Sequence, residues 1–288
     1  MKGKRTCAAG IYISAPMTRF TRLAWTAATF TYLLIILGAI VRITGSGLGC
    51  GEHWPLCNGK LLPPLDLPTM IEYGHRLAAA AVSVLVVWLA LYAWRLRPLP
   101  PSTALYRPGL AAYVAFGLLV VQVILGAVTV RLRLPPWTVI LHLGTAMLLL
   151  ATLIVIAKGT RFTPSLRPGS AGLALGFVTV LFGALTANLG AATACLGFPL
   201  CNGQLLPAGN YLQQVQWTHR LLAYTLAGYV VWWAIRTKTR GAWCVVALVA
   251  FQVAVAASMV LLGLPQPLQA AHVAVGAAVW AALVIAVF

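Results

Sequence analysis

Acidic side chains are almost missing. Glu52, Asp66 and Glu72 are the only carboxylates in 288 residues, against 20 lysines and arginines, which leaves a formal charge of +17. Such a balance points to a nucleic-acid binder only where the cations form contiguous solvated clusters. Here they sit in short stretches between long apolar runs, so that class is excluded. Charge of either sign is scarce as well: charged residues make up 8% of the chain and hydrophobic ones 61%. A soluble domain of this length cannot bury that much apolar surface, so lipid is the solvent. No cleavable leader is expected either, because no stretch of about 7–15 apolar residues ends at a small-residue cleavage site before the first long apolar run. Residues 1–20 read as a flexible cytoplasmic tail.

Runs of about 20 apolar residues, enough to cross a hydrocarbon core of ~30 Å, lie near 22–42, 70–94, 108–131, 137–158, 172–192, 212–235, 241–262 and 267–288. They predict an all-α polytopic membrane protein of eight transmembrane helices. Lys2, Lys4, Arg5, Arg19 and Arg22 precede the first span, and Arg95, Arg97 and Arg107 follow the second. Lys158, Arg161 and Arg167 follow the fourth, and Arg236, Lys238 and Arg240 the sixth. The loops at 193–211 and 263–267 have no basic residue. The basic side is the cytoplasm by the positive-inside rule, which puts both termini there.

The chain repeats itself. Phe198-Pro199-Leu200-Cys201-Asn202-Gly203 echoes Trp54-Pro55-Leu56-Cys57-Asn58-Gly59 at an offset of 144, which also carries His75-Arg76 onto His219-Arg220. An offset of 130 carries Gln122 onto Gln252 and His142 onto His272. The unit is therefore a duplicated set of four spans, and its even number makes the repeat parallel. Residues 21–160 are expected to form one four-helix bundle and 172–288 a second, in tandem, joined by a cytoplasmic linker at 161–171.

Each of His75, His142, His219 and His272 lies roughly five to seven residues inside the outer end of an even-numbered span, about 7–10 Å along the axis. In an up-down bundle the second and fourth helices run parallel and are commonly diagonal, so their histidines can face each other across the axis. One histidine inside a membrane is often only a hydrogen-bond partner for a neighbouring helix; a duplicated pair asks for more. Zinc and copper sites want more ligands close by. Two axial imidazoles in an apolar pocket suit heme iron, whose equatorial ligands come from the porphyrin. Arg42, Arg76 and Arg220 are candidates to meet the propionates at the aqueous edge. Snorkelling to the interface is the alternative for Arg76 and Arg220.

Cys50 and Cys57 bracket the first outer loop, and Cys195 and Cys201 the third. Outside the cytoplasm such pairs suit disulfides that tether loops over the heme pockets. Metal binding is the other reading, with His53 alone nearby. Cys7 and Cys244 have no evident partner.

The halves differ in charge. Glu72 stands three residues before His75 where Gln216 precedes His219, Arg42 matches Ala187, and Arg131 and Arg133 match Leu261 and Gly263. Ionisable groups in a membrane are expensive and usually functional. Glu72 shares a helix face with His75 and is the candidate catalytic acid or base; simple pairing with an arginine is the alternative. The first pocket is thus expected to do chemistry and the second to hold a permanent redox heme.

The stretch Val41-Arg42-Ile43-Thr44-Gly45-Ser46-Gly47-Leu48, the loop Cys50-Gly51-Glu52-His53-Trp54-Pro55-Leu56-Cys57, and Glu72-Tyr73-Gly74-His75-Arg76 resemble the signature of the heme A synthase family. The resemblance covers all eight spans, both cysteine pairs and all four membrane histidines. It implies oxidation of the C8 methyl of heme O to a formyl group, giving heme A for heme-copper oxidases. It further implies that His75 and His142 bracket the substrate heme, that Glu72 assists its oxidation, and that His219 and His272 ligate heme b. A functional Cys50–Cys57 disulfide over the substrate pocket is implied as well. Expected partners are a heme O synthase and a heme-copper oxidase assembly; the location is the prokaryotic cell membrane, with the heme sites toward its outer face. Two other classes compete: a di-heme b-type electron carrier, which favours hemes at different depths, and a transporter built on the parallel repeat, which predicts no bound heme.

Overall fold

The computed structural model describes residues 19–52, 54–60, 63–95, 108–159, 168–207 and 209–288. The tail before Arg19, His53 and the first part of the expected linker lie outside these. Among the described residues the regular structure is helical, without strands: α1 Arg19–Ile43, α2 Leu67–Arg95, α3 Pro108–Arg131, α4 Pro136–Lys158, α5 Pro168–Asn188, α6 Tyr211–Thr237, α7 Arg240–Leu261 and α8 Gln266–Val287. Because α5 begins at Pro168, residues 168–171 of the expected linker are its first turn.

Local chemistry sets these limits. Proline opens α3, α4 and α5, where its missing N–H costs nothing and its fixed φ suits the first turn. Asp66 caps α2 by accepting the Thr69 N–H at 3.2 Å, and hydrogen bonds from Thr69 hold its carboxyl below the usual carboxylate range. Asn210 caps α6 through the Gln213 N–H, and Thr239 caps α7 through that of Ala242. Gly159 ends α4 in the left-handed conformation, at φ 65°.

Seven of the eight helices are long and apolar enough to cross a membrane. The exception is α6. At 27 residues it has the length, but its first turns carry Gln213, Gln214, Gln216, Thr218, His219 and Arg220, and these polar groups lower its hydropathy. The sequence expectation of eight spans therefore stands at seven by composition and length.

The helices close into two rings. α1 packs on α2, α2 on α3, α3 on α4 and α4 back on α1; α5 to α8 repeat the pattern. The rings join where α4 meets α5 and α8, and where α1 meets α8. Lipid tails are as apolar as leucine, so shape and hydrogen bonds must hold such helices together instead of the hydrophobic effect. Ala24, Ala27, Ala112 and Ala115 are buried, which lets backbones approach closely. Across the junction the Trp280 indole N–H donates to the Met147 carbonyl at 2.8 Å, and the Tyr32 hydroxyl to that of Ala274 at 3.1 Å.

Candidate functional site

The four histidines fall into two pairs. His75 on α2 lies within electrostatic reach of His142 on α4, and His272 on α8 within reach of His219 on α6. The rings occupy holes left by glycine on neighbouring helices. A Cβ at Gly38 of α1 would stand 3.2 Å from His75 Cε1, one at Gly126 of α3 the same distance from His142 Cε1, and one at Gly183 of α5 only 2.9 Å from His219 Cε1. Gly38 and Gly183 are repeat equivalents at an offset of 145, so the same opening is built twice.

The imidazoles are poorly served by the protein. Nδ1 of His75, His142 and His219 is buried without a hydrogen-bond partner among the described residues, and an unpaired buried polar atom costs free energy unless a ligand satisfies it. Gln122 places its amide nitrogen 3.2 Å from His142 Nε2, and Gln252 places its own 3.1 Å from His272 Nδ1. These glutamines were visible in the sequence as a matched pair, but nothing there tied them to the histidines.

No three of His, Cys, Asp and Glu converge anywhere among the described residues. A bare metal ion would lack ligands, whereas a heme brings four of its own and would need only two from the protein, for which each ring has a pair of histidines. The residues fit that group.

A disulfide-bonded loop joins the first two helices of each ring, α1 to α2 and α5 to α6. Cys50 bonds Cys57, and Cys195 bonds Cys201, which settles the choice between disulfide and metal for both pairs. Cys244 is an exposed free thiol; Cys7 lies outside the described residues. The loops fold alike: Asn58 and Asn202 are both left-handed at φ 52°, the Asn58 N–H donates to the Cys50 carbonyl at 3.0 Å, and the Asn202 N–H to that of Leu196 at 3.0 Å. At Gly49 only glycine fits, since a Cβ would meet the Pro68 carbonyl oxygen at 2.6 Å.

The loops differ in how helices hold them. Glu72, 3% exposed, takes the Cys50 N–H on Oε2 at 2.7 Å and pairs through Oε1 with Arg76 at 2.6 Å. Arg76 Nη1 also donates to the Leu56 carbonyl at 2.9 Å. In the second ring Gln216 is buried with its Oε1 unpaired, and Arg220 donates to the carbonyls of Cys195, Gly197 and Leu200 at 2.8–3.0 Å. Both arginines that follow a histidine are thus engaged on the loops. Glu52 adds a second tie in the first ring, an exposed ion pair with Arg133 at 2.6 Å. Arg42, at the end of α1, is half-buried.

The profile of the COX15-CtaA family, described as cytochrome oxidase assembly protein, matches residues 21–68 and 67–284. The heme A synthase of Symbiobacterium thermophilum is 36% identical over 248 residues, covering 77% of this chain and 79% of that protein. Those of Shouchella clausii and Exiguobacterium sibiricum are both 34% identical, over 191 and 230 residues; the first alignment covers 61% of each chain and the second 74%.

Proposed function

The chain belongs to the COX15-CtaA family of cytochrome oxidase assembly proteins, and we propose that it is a heme A synthase, an oxidoreductase that converts the C8 methyl of heme O to a formyl group. The observation that carries this reading is that two histidines come within electrostatic reach of each other twice over, His75 with His142 and His219 with His272, with a buried carboxylate, Glu72, on the helix of the first pair alone.

Residues 21–160 are one domain and residues 168–288, from the start of α5, the other, each crossing the membrane four times. α6 crosses with the rest, because it is the repeat partner of α2 and packs between α5 and α7. Both termini are cytoplasmic by the placement of the basic loops, and the histidines lie toward the outer face of a prokaryotic cell membrane.

His75 and His142 bracket the substrate heme O in the first domain; His219 and His272 hold heme b in the second. Heme b would supply a one-electron redox centre. The first domain's residues then have three tasks. The histidine pair holds the macrocycle. The disulfide loop, tied down by Glu72 and Arg76, keeps bulk water from the outer end of the pocket. Glu72 is the carboxylate nearest the pair in sequence, and moving a proton there requires it to release the Cys50 amide or Arg76. Heme O is delivered by a heme O synthase and heme A passes to a heme-copper oxidase assembly.

A bare electron carrier explains the four histidines but not the charged network confined to the first domain. Hemes extracted from membranes that contain this chain and a supply of heme O decide the matter. Heme A is expected; folded, heme-loaded protein with no heme A would overturn the proposal.

A further inference from the structure

Arg42 lies four residues beyond Gly38 and hence on the same face of α1, one turn nearer the outer end. That is the face against which the His75 ring packs, with Cε1 3.2 Å from a Cβ at Gly38. The Arg42 side chain is half-buried, and among the described residues no side chain or carbonyl pairs with it.

The protein has no anion left to offer. Glu72 is bound by Arg76 and the Cys50 amide, Glu52 by Arg133, and Asp66 caps α2 through Thr69; these are all the side-chain carboxylates in the chain. A partly desolvated guanidinium without a counter-charge is costly, so the counter-charge must come from outside. The other arginines of this rim are differently placed. Arg76 is spent on Glu72 and the loop, and Arg131 is exposed and stands about 140° round α3 from Gly126.

We propose that Arg42 binds a propionate carboxylate of the substrate and thereby sets which edge of the macrocycle is oxidised. The inference rests on the reading of the first domain as the heme O site. Two axial imidazoles fix the plane of a porphyrin but leave it free to turn about the axis that joins them. One charge-assisted contact off that axis stops the rotation. A site that oxidises a single methyl needs this; a permanent redox heme does not, and its repeat-equivalent residue is Ala187.

The test compares heme O with its dipropionate methyl ester, titrated into the purified full chain and followed by the Soret band. Wild type is expected to bind the free acid at least about tenfold more tightly than the ester. Arg42→Gln should bring that ratio close to one, Arg131→Gln should leave it unchanged, and the second-site heme b spectrum should be intact in both. Equal affinity for acid and ester in wild type overturns the inference even if Arg42→Gln fails to fold, and leaves the proposed activity standing. Failure of wild type to bind heme O in any form overturns the activity itself. The same titrations in nanodiscs of phosphatidylglycerol and of phosphatidylcholine separate the two anion sources. If Arg42→Gln alters the response to anionic lipid and leaves the acid-to-ester ratio at the wild-type value, the arginine serves a lipid phosphate and the inference falls.

Discussion

The Cys50 backbone N–H donates to the carboxylate of Glu72 at 2.7 Å, so the helix that presents His75 also grips the disulfide loop. The second half makes the same grip with the opposite polarity, where the Arg220 guanidinium donates to the Cys195 carbonyl at 2.9 Å. A carboxylate is therefore not needed merely to anchor such a loop. On the proposed reading, the carboxylate in the first half serves the reaction as well as the loop.

Glu72→Gln separates anchoring from chemistry. The amide keeps the size of the side chain but cannot form the ion pair with Arg76, a loss of about 1–3 kcal/mol felt at the loop. Heme b in the second site is expected to remain, conversion of heme O to fall at least about tenfold, and Cys50–Cys57 to become easier to reduce and alkylate than Cys195–Cys201. Full conversion with unchanged thiol reactivity would refute a role for Glu72 in the reaction.

The two histidine pairs should fail independently. Residues on different helix rings that share no partner contribute separately, so His272→Ala is expected to abolish the heme b signal in a reduced-minus-oxidised spectrum. His75→Ala should leave that signal intact and remove heme O binding. Loss of both sites in either variant, with the helical content preserved, would contradict the assignment of one heme to each half.

Arg133 sits at φ 60° where the second half has Gly263 at φ 75°. Left-handed backbone costs a side chain about 1–2 kcal/mol, while glycine loses ~0.5–1 kcal/mol in the unfolded chain. The ion pair with Glu52 joins side chains that are 72% and 52% exposed and is worth less than about 1 kcal/mol. These terms nearly cancel, so Arg133→Gly should shift stability by less than about 1 kcal/mol. A large drop in thermal midpoint would mean that the tie between the loops matters more than its exposure allows.

The helices and the histidine pairs were legible because span length and the duplicated motif are both one-dimensional signals. α6 came out weaker than expected because the glutamines, His219 and Arg220 in its first turns interrupt its apolar pattern. The partners of Glu72 were only half legible. Arg76 is one helical turn away, and the pairing follows from spacing, but the Cys50 amide lies 22 residues distant and becomes a neighbour only once the loop folds back. The role of Gly38 was equally hidden, since a glycine in a membrane helix has many uses, and only the position of His75 shows which one applies.

That role makes a last prediction. Alanine at Gly183 would put a methyl 2.9 Å from His219 Cε1, and alanine at Gly38 one at 3.2 Å from His75 Cε1. Both distances are inside ordinary van der Waals contact, and the helix backbones cannot part without disturbing α5–α6 or α1–α2 packing. The imidazole must therefore turn, and overpacking of this kind costs about 1–3 kcal/mol. An axial ligand that turns changes the field at the iron. Gly183→Ala is expected to shift the heme b spectrum and its midpoint potential, whereas Gly38→Ala should leave both untouched and weaken heme O binding alone. If Gly183→Ala gives an unaltered heme b spectrum, the glycine does not seat the ligand, and His219 reaches its iron by a different rotamer from the one seen here.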